Sequence, residues 1–212
     1  MNLLLNPPTF TRPSRRGEPT WELLHLYPAQ GRWSEEDYLA LNAPFLVELS
    51  DGCLEFPPMP TILHQLIVDY LHSMLKDFVR AHAEGLVLFA PVPVYLWLGK
   101  FRQPDILFLR PGRRRHRKEY PKGADLVMEI VSGDPKDRER DLVTKRKEYA
   151  KAGISEYWIV DPELSTITVL TLKGKTYREH GVCGSGSRAT SHLLPGFAVS
   201  VDAVFAAGQA VP

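Results

Sequence analysis

The chain has 212 residues, a length that suits one domain with additions to its core rather than two full domains. Apolar residues make up 44% and charged residues 24%, which is typical of a globular protein, and the net charge of +1 gives no overall sign of a nucleic-acid partner. The sequence has no apolar run long enough for a membrane span and no basic N-terminal region typical of a secretory signal. Its two cysteines, Cys53 and Cys183, lie too far apart to form a CxxC pair, so we expect reduced thiols in a cytoplasmic protein.

The first part of the chain predicts an arm followed by a helix. Residues 1–31 are rich in Pro and Arg and show no clear period, so we interpret them as an N-terminal arm before a domain over 32–212. Ser34 is followed by Glu35-Glu36-Asp37, which predicts a helix start because serine caps a helix and acids favour its first turn.

A β-hairpin and a long helix come next. The largely apolar stretches 45–49 and 53–56, on either side of the turn Asp51-Gly52, predict the hairpin. Thr61 then favours the start of an amphipathic helix that continues to about His82, since apolar residues recur along it at helical spacing.

From Leu86 onward the pattern becomes that of an α/β fold. Strands are predicted over 86–94, 95–98, 105–109, 126–131 and 156–162. A second helix is predicted over about 135–152, a further hairpin around Lys173-Gly174, and a flexible Gly/Ser loop over 181–187. The order of helix, strands, helix and strand implies a mixed central sheet flanked by helices.

The strand at 126–131 carries Glu129 at the centre of an otherwise apolar run, which is typical of a strand buried on both faces. An ionised carboxylate there is costly unless a basic side chain, hydrogen bonds or a metal ion compensates it. Asp105 heads a second apolar strand directly after a proline, and two carboxylates on neighbouring strands can share a divalent cation. Structural roles remain open for both acids: a cap at a strand start for Asp105 and a buried salt bridge for Glu129.

The helix after Glu129 places a lysine on its apolar side. On a helical wheel Lys145 falls within about 60° of Leu142, in a stripe that also holds Tyr149. Either the stem of Lys145 lies along the edge of the stripe with its ammonium in solvent, or the ammonium points into the same pocket as the two acids. In the second case Asp141, one turn earlier, is its i, i+4 partner.

Four stretches of the chain carry a family pattern: "QPDILFL", "ADLVMEIVS", "RDLVTKRKEYAKAGISEYWIVDPE" and "LLPGFAVSVDAVF". Over roughly residues 34–205 they resemble the bacterial family known as Uma-two, in the PD-(D/E)XK nuclease superfamily. The resemblance implies a restriction endonuclease-like core and a metal-dependent endonuclease, with DNA as the expected substrate. It assigns Asp105 and Glu129 as the two acids of the motif. The lysine is usually found two residues after the second acid, where this chain has Val131, so Lys145 resembles a lysine displaced onto the helix.

The same resemblance implies ligands and partners. Mg²⁺ or Mn²⁺ would be held by Asp105, Glu129 and the backbone carbonyl of Ile130, and Glu48 and His64 fall at polar positions typical of the family. We interpret His64 as a hydrogen-bonded residue at the rim of the pocket rather than a zinc ligand, because no further ligand lies nearby in sequence. A homodimer is expected.

Two other functions stay open at this point. The first is a protein that keeps the nuclease fold without catalysis and binds nucleic acid or a protein partner, because a fold does not determine a function. The second is a metal-dependent enzyme with another phosphate substrate. The loop at 110–118, dense in Arg and Lys, is either a solvated connection or a phosphate contact.

Overall fold

The computed structural model describes residues 15–17, 27–41, 46–82, 84–113 and 119–209. The greater part of the N-terminal arm therefore lies outside the described residues, as does the centre of the basic loop.

The elements follow one another in two halves. The first half contains α1 (Glu35–Ala40), β1 (Glu48–Ser50), β2 (Cys53–Glu55), α2 (Ile62–His82), β3 (Leu86–Phe89), β4 (Val94–Trp97), β5 (Lys100–Arg102) and β6 (Ile106–Leu109). The second half contains β7 (Leu126–Ile130), α3 (Pro135–Glu139), a π-helical segment (Arg140–Lys145), α4 (Arg146–Lys151), β8 (Glu156–Asp161), β9 (Thr166–Lys173), β10 (Thr176–Cys183), β11 (Arg188–Thr190), β12 (Ala198–Ser200) and α5 (Val201–Gln209).

Both helix starts predicted from capping residues are confirmed. The Ser34 side chain accepts a hydrogen bond from the backbone N–H of Asp37 at 3.0 Å, and the Asp37 carboxylate accepts one from the backbone N–H of Ser34. Thr61 Oγ1 accepts from the backbone N–H of His64 at 3.2 Å at the start of α2. Each cap satisfies a backbone donor that has no partner within the helix.

Two sequence-based boundaries were wrong, and one strand was missed. Residues 86–94 do not form one strand, because the chain leaves the sheet after Phe89 at a cis Ala90–Pro91 peptide, and proline has no N–H for a ladder. The short strand β5 was not predicted at all. The expected loop at 181–187 begins late, because β10 stays paired with β9 as far as Cys183.

The predicted mixed sheet is confirmed. Its six strands lie in the order β10-β9-β8-β7-β6-β3, with β7 and β8 parallel and the other neighbours antiparallel. A second sheet of four strands has the order β2-β1-β5-β4, and β11 pairs with β12. The antiparallel pairing of β6 with β7 places the residue before β6 beside the end of β7, where the two sequence-predicted acids lie.

The central strands β6, β7 and β8 of the six-stranded sheet are buried on both faces. Met128 and Ile130 of β7 belong to the apolar core that includes α2 and α5, whereas Val127 belongs to the core that includes Tyr149 of α4. Because successive side chains of a strand alternate in direction, Glu129 lies on the α4 face. Among the described helices, none is both long and apolar enough to cross a membrane.

Candidate active site

Asp105 and Glu129 line one cleft at the edge where β6 begins and β7 ends. The cleft encloses about 320 Å³. The Asp105 carboxylate accepts a hydrogen bond from the backbone N–H of Ile130 at 2.8 Å through its Oδ2 atom. This bond ties the first acid to the residue that follows the second, so the two carboxylates are held beside each other.

Lys145 points into the same cleft. Its Nζ atom lies 2.9 Å from Glu129 Oε1 and 3.1 Å from Asp141 Oδ1, and all three side chains are buried. The ammonium is therefore not in solvent, and the sequence-based alternative of a stem at the edge of the stripe is wrong. Asp141 is the i, i+4 partner that the spacing suggested.

The backbone around Lys145 is a π-helix, which the sequence did not indicate. Asp141 and Lys145 both belong to this segment, and the hydroxyl of Tyr157 donates to the carbonyl oxygen of Asp141 at 2.9 Å. A π-helical turn is rare and occurs frequently at functional sites. Tyr149, one turn further in α4, donates its hydroxyl to Glu129 Oε1 at 2.5 Å. Two side chains of one helix therefore contact the same oxygen of Glu129.

Glu48 lines the cleft as well, but both of its oxygens have partners. Oε2 lies 2.8 Å from the guanidinium of Arg102, and Oε1 accepts from the backbone N–H of Gln103 at 2.8 Å. Burial opposes the charge of Glu48, but Lys145 and Arg102 outweigh it, so the pKa of Glu48 lies below its ordinary value. Glu48 is consequently a fixed anion at the wall of the cleft.

Arg102 is the buried residue that sequence reasoning missed. Its side chain is 1% exposed and also forms a bidentate pair with Glu148 of α4, at 2.7 and 2.9 Å, and a contact with Glu55. This guanidinium links the four-stranded sheet to the helix that carries Lys145. The available signal in the sequence was the two basic residues Lys100 and Arg102 on either side of Phe101, shortly before the Pro-Asp pair.

His64 lies at the N-terminal end of α2 and faces Asp105. Its Nε2 atom is 3.2 Å from Asp105 Oδ2, and its buried Nδ1 atom has no hydrogen-bond partner among the described residues. The structure thus places His64 beside the first acid at the wall of the cleft.

The cleft carries an excess of negative charge. Burial raises the pKa of Glu129 to about 8, with Asp105 and Asp141 adding to the effect and Lys145 and Tyr149 opposing it. Burial disfavours the charge of Lys145, but the carboxylates of Glu129 and Asp141 outweigh it and raise the pKa of Lys145 above its ordinary value. Lys145 therefore keeps its charge, whereas burial makes the carboxyl group of Glu129 harder to ionise.

These residues fit a divalent cation. The hydrogen bonds and ion pair that the described residues make to Asp105 and Glu129 fall on Oδ2 and Oε1, which leaves the second oxygen of each carboxylate available. No group of three or more His, Cys, Asp or Glu side chains forms a ligand set in the described part of the chain. A cation here would depend on two carboxylates and water, and Mg²⁺ accepts such a ligand set.

One arginine of the basic loop has a partner within the protein. Arg113 Nε lies 3.0 Å from Asp125 Oδ1, and its guanidinium also donates to the backbone carbonyl of Lys122 at 3.1 Å. Residues 114–118 lie outside the described residues. The expectation that Arg113 is available to phosphate is therefore weakened by this ion pair.

Comparison with known proteins supports the fold. A solved structure titled as that of a "putative nuclease belonging to DUF820" from Anabaena variabilis superposes with a TM-score of 0.68 at 17% identity, covering 82% of this chain and 98% of that one. No curated protein matches the chain. The two proteins thus share one mixed α/β fold, in which a central sheet is flanked by helices.

The amino-acid sequence shows which family the chain belongs to. The family Uma2, described as "Putative restriction endonuclease", matches residues 35–202. The chain belongs to this family.

Proposed function

We propose that the protein is a metal-dependent endonuclease that hydrolyses phosphodiester bonds of nucleic acid, with DNA as the expected substrate. The observation that supports this function is the convergence of Asp105, Glu129 and the buried ammonium of Lys145 in one cleft. Two carboxylates and one cation in this arrangement match the needs of phosphodiester hydrolysis.

Each side chain has a role in this proposal. Mg²⁺ or Mn²⁺, held by Asp105, Glu129 and the carbonyl of Ile130, would supply Lewis acidity to the scissile phosphate and the attacking water. Lys145 orients that water or stabilises the negative charge that develops on the phosphate oxygens.

The remaining polar residues hold these groups in position. Asp141 fixes the ammonium of Lys145, Tyr149 fixes Glu129, and His64 contacts Asp105. Glu48 contributes a fixed negative charge at the wall and connects the cleft to Arg102.

Cleavage of supercoiled plasmid and of single-stranded DNA tests the proposal. We expect cleavage in Mg²⁺ or Mn²⁺, loss of cleavage in EDTA, and loss of cleavage in Asp105→Asn. The matched control is Asp77→Asn, since Asp77 is an exposed acid on α2 remote in sequence from the motif. If wild type binds DNA but does not cleave it with either metal, the protein is instead a non-catalytic binding protein with this fold.

We also propose a homodimer, because the family resemblance implies one and a duplex offers two strands to two copies of a site. Light scattering at micromolar concentration should give twice the chain mass. A monomer mass at that concentration would exclude this proposal without affecting the nuclease chemistry.

A further inference from the structure

The cleft has two walls of different chemistry. One wall carries the acids and Lys145, and the other is apolar. The apolar lining includes residues from the segment before α2, from α2 itself and from the end of β3: Pro57, Pro58, Met59, Leu63 and Phe89. Two of these apolar side chains are largely exposed to solvent: Met59 is 77% exposed and Phe89 is 52% exposed. A catalytic cleft for phosphate alone gains nothing from such a wall, so its presence calls for an apolar group on the substrate.

Phe89 is held next to the first catalytic acid. The backbone N–H of Ala90 donates to the backbone carbonyl of Asp105 at 3.0 Å, and Phe89 pairs with Ile106 across the β3–β6 ladder. The imidazole of His72 packs against the Phe89 ring with centroids 4.7 Å apart and an interplanar angle of 65°, which restrains the ring. The exposed ring of Phe89 is thus carried by the residue that pairs with Ile106, directly after Asp105, and it lines the same cleft as that acid.

Among the described residues, the two cations that line the cleft, Arg140 and Lys145, are not arranged to follow a phosphate backbone. Lys145 is paired with Glu129 and Asp141, and Arg140 lies 2.9 Å from Asp137 and 3.6 Å from Asp141. Duplex binding relies on several Lys or Arg side chains that neutralise successive phosphates. Proteins that hold a single strand instead stack its bases on aromatic side chains.

The size of the cleft favours the same substrate. Its volume of about 320 Å³ lies near the lower end of the range for small-molecule sites, which is roughly 300–1,000 Å³. Such a space accommodates one nucleotide with its base, whereas a base that remains paired and stacked in a duplex cannot reach the wall.

We infer that the substrate is an unpaired strand of nucleic acid, and that Phe89 stacks on a base next to the scissile phosphate. This inference rests on the proposed nuclease function and names the substrate class of the same site. The apolar wall of Met59 and the neighbouring prolines covers the other side of that base.

The test compares one DNA oligonucleotide as a single strand and annealed to its complement. We expect the single strand to be cleaved faster by about tenfold or more, and Phe89→Ala to lose about tenfold on the single strand, as the loss of one stacked base does. Phe89→Trp should keep the activity and Phe89→Leu should not, because stacking needs an aromatic ring. Leu98→Ala is the matched control, since Leu98 is 79% exposed and lies outside the cleft.

Binding in Ca²⁺ separates this inference from the nuclease reaction. We expect the wild type to quench the fluorescence of a purine analogue placed in a single strand. Phe89→Ala should quench this fluorescence less. Equal cleavage of the single strand and the duplex, or equal quenching by the two proteins, would overturn the inference. If neither substrate is cleaved but the quenching still depends on Phe89, the nuclease reaction is refuted and the binding of an unpaired strand is retained.

Discussion

Two buried glutamates on neighbouring parallel strands have opposite environments. Glu156 begins β8 and is 0% exposed, whereas Glu129 lies near the end of β7 and is 3% exposed. Glu156 receives four hydrogen bonds from neutral donors, two on each oxygen. The donors are Trp158 Nε1, Ser191 Oγ and the backbone N–H groups of His192 and Leu193, at 2.6 to 2.7 Å. Its carboxylate thus fastens the segment before β12 to the sheet.

Glu129 is held by fewer and different donors. Lys145 and Tyr149 both contact Oε1, and the side chain lines an open cleft beside Asp105. Burial alone therefore does not distinguish a functional acid from a structural one. The distinguishing features are a charged partner, an oxygen left available and a neighbouring cavity, and each can be tested by substitution.

The largest expected effect concerns Lys145. Lys145→Ala should lower metal-dependent cleavage by orders of magnitude, because a charge that stabilises the transition state is lost. Lys147→Ala should remain within a few-fold of the wild type, because Lys147 is exposed two residues further along the same helix. Rates are measured on plasmid DNA after circular dichroism has shown that both variants fold. Equal rates in the two variants would assign Lys145 a purely structural role as the partner of Glu129.

Exchanging each glutamate for glutamine tests the comparison directly. Glu129→Gln should abolish cleavage, since the cation loses a charged ligand, while the protein stays folded. Glu156→Gln should cleave at close to the wild-type rate per folded molecule and lose stability by about 1–3 kcal/mol, because a glutamine NH₂ cannot accept two hydrogen bonds. Urea unfolding and nicking assays are run on both variants. If Glu156→Gln loses activity without losing stability, the assignment of a structural role to Glu156 is wrong.

The pH dependence of stability tests the environment of Glu129. The pKa of Glu129 is raised from 4.5 to about 8 by burial, so between these values the folded protein binds a proton that the unfolded chain does not. The contribution of this proton to the free energy of unfolding is fully present below pH 4.5 and is lost as the pH rises through about 8. In EDTA, Glu129→Gln should thus become more stable relative to the wild type over this window, by up to about 1.4 kcal/mol per pH unit. A constant difference between pH 5 and 8 would show that Glu129 is already ionised.

The smallest expected effect lies in the basic loop. Replacing Arg113, Arg114, Arg115 and Arg117 with glutamine together should flatten the salt dependence of DNA binding if the loop contacts phosphate. Arg113→Gln alone should leave the slope unchanged, because Arg113 is paired with Asp125 and plays a structural part, as Glu156 does. An unchanged slope in the fourfold variant would identify the loop as a solvated connection.

The sequence by itself determined the features that depend on near neighbours. Ser34 and Thr61 predicted helix starts, and Asp51-Gly52 predicted the hairpin, because caps and tight turns involve only a few consecutive residues. The apolar run around Glu129 predicted a strand buried on both faces, and helical spacing predicted that Lys145 lies on the apolar side of its helix. Local periodicity was sufficient for both, and the two residues indeed lie 2.9 Å apart.

Only the tertiary structure decided how the charged groups are paired. Arg102 contacts Glu48 and Glu148, which lie 54 and 46 residues away in sequence, and the loop at Ser191 reaches Glu156 across 35 residues. The π-helical turn at Lys145 and the position of Phe89 beside Asp105 likewise depend on neighbouring strands. Local patterns carry no information about such distant partners, and in a buried site the partner decides whether a carboxylate binds a cation or fastens a loop.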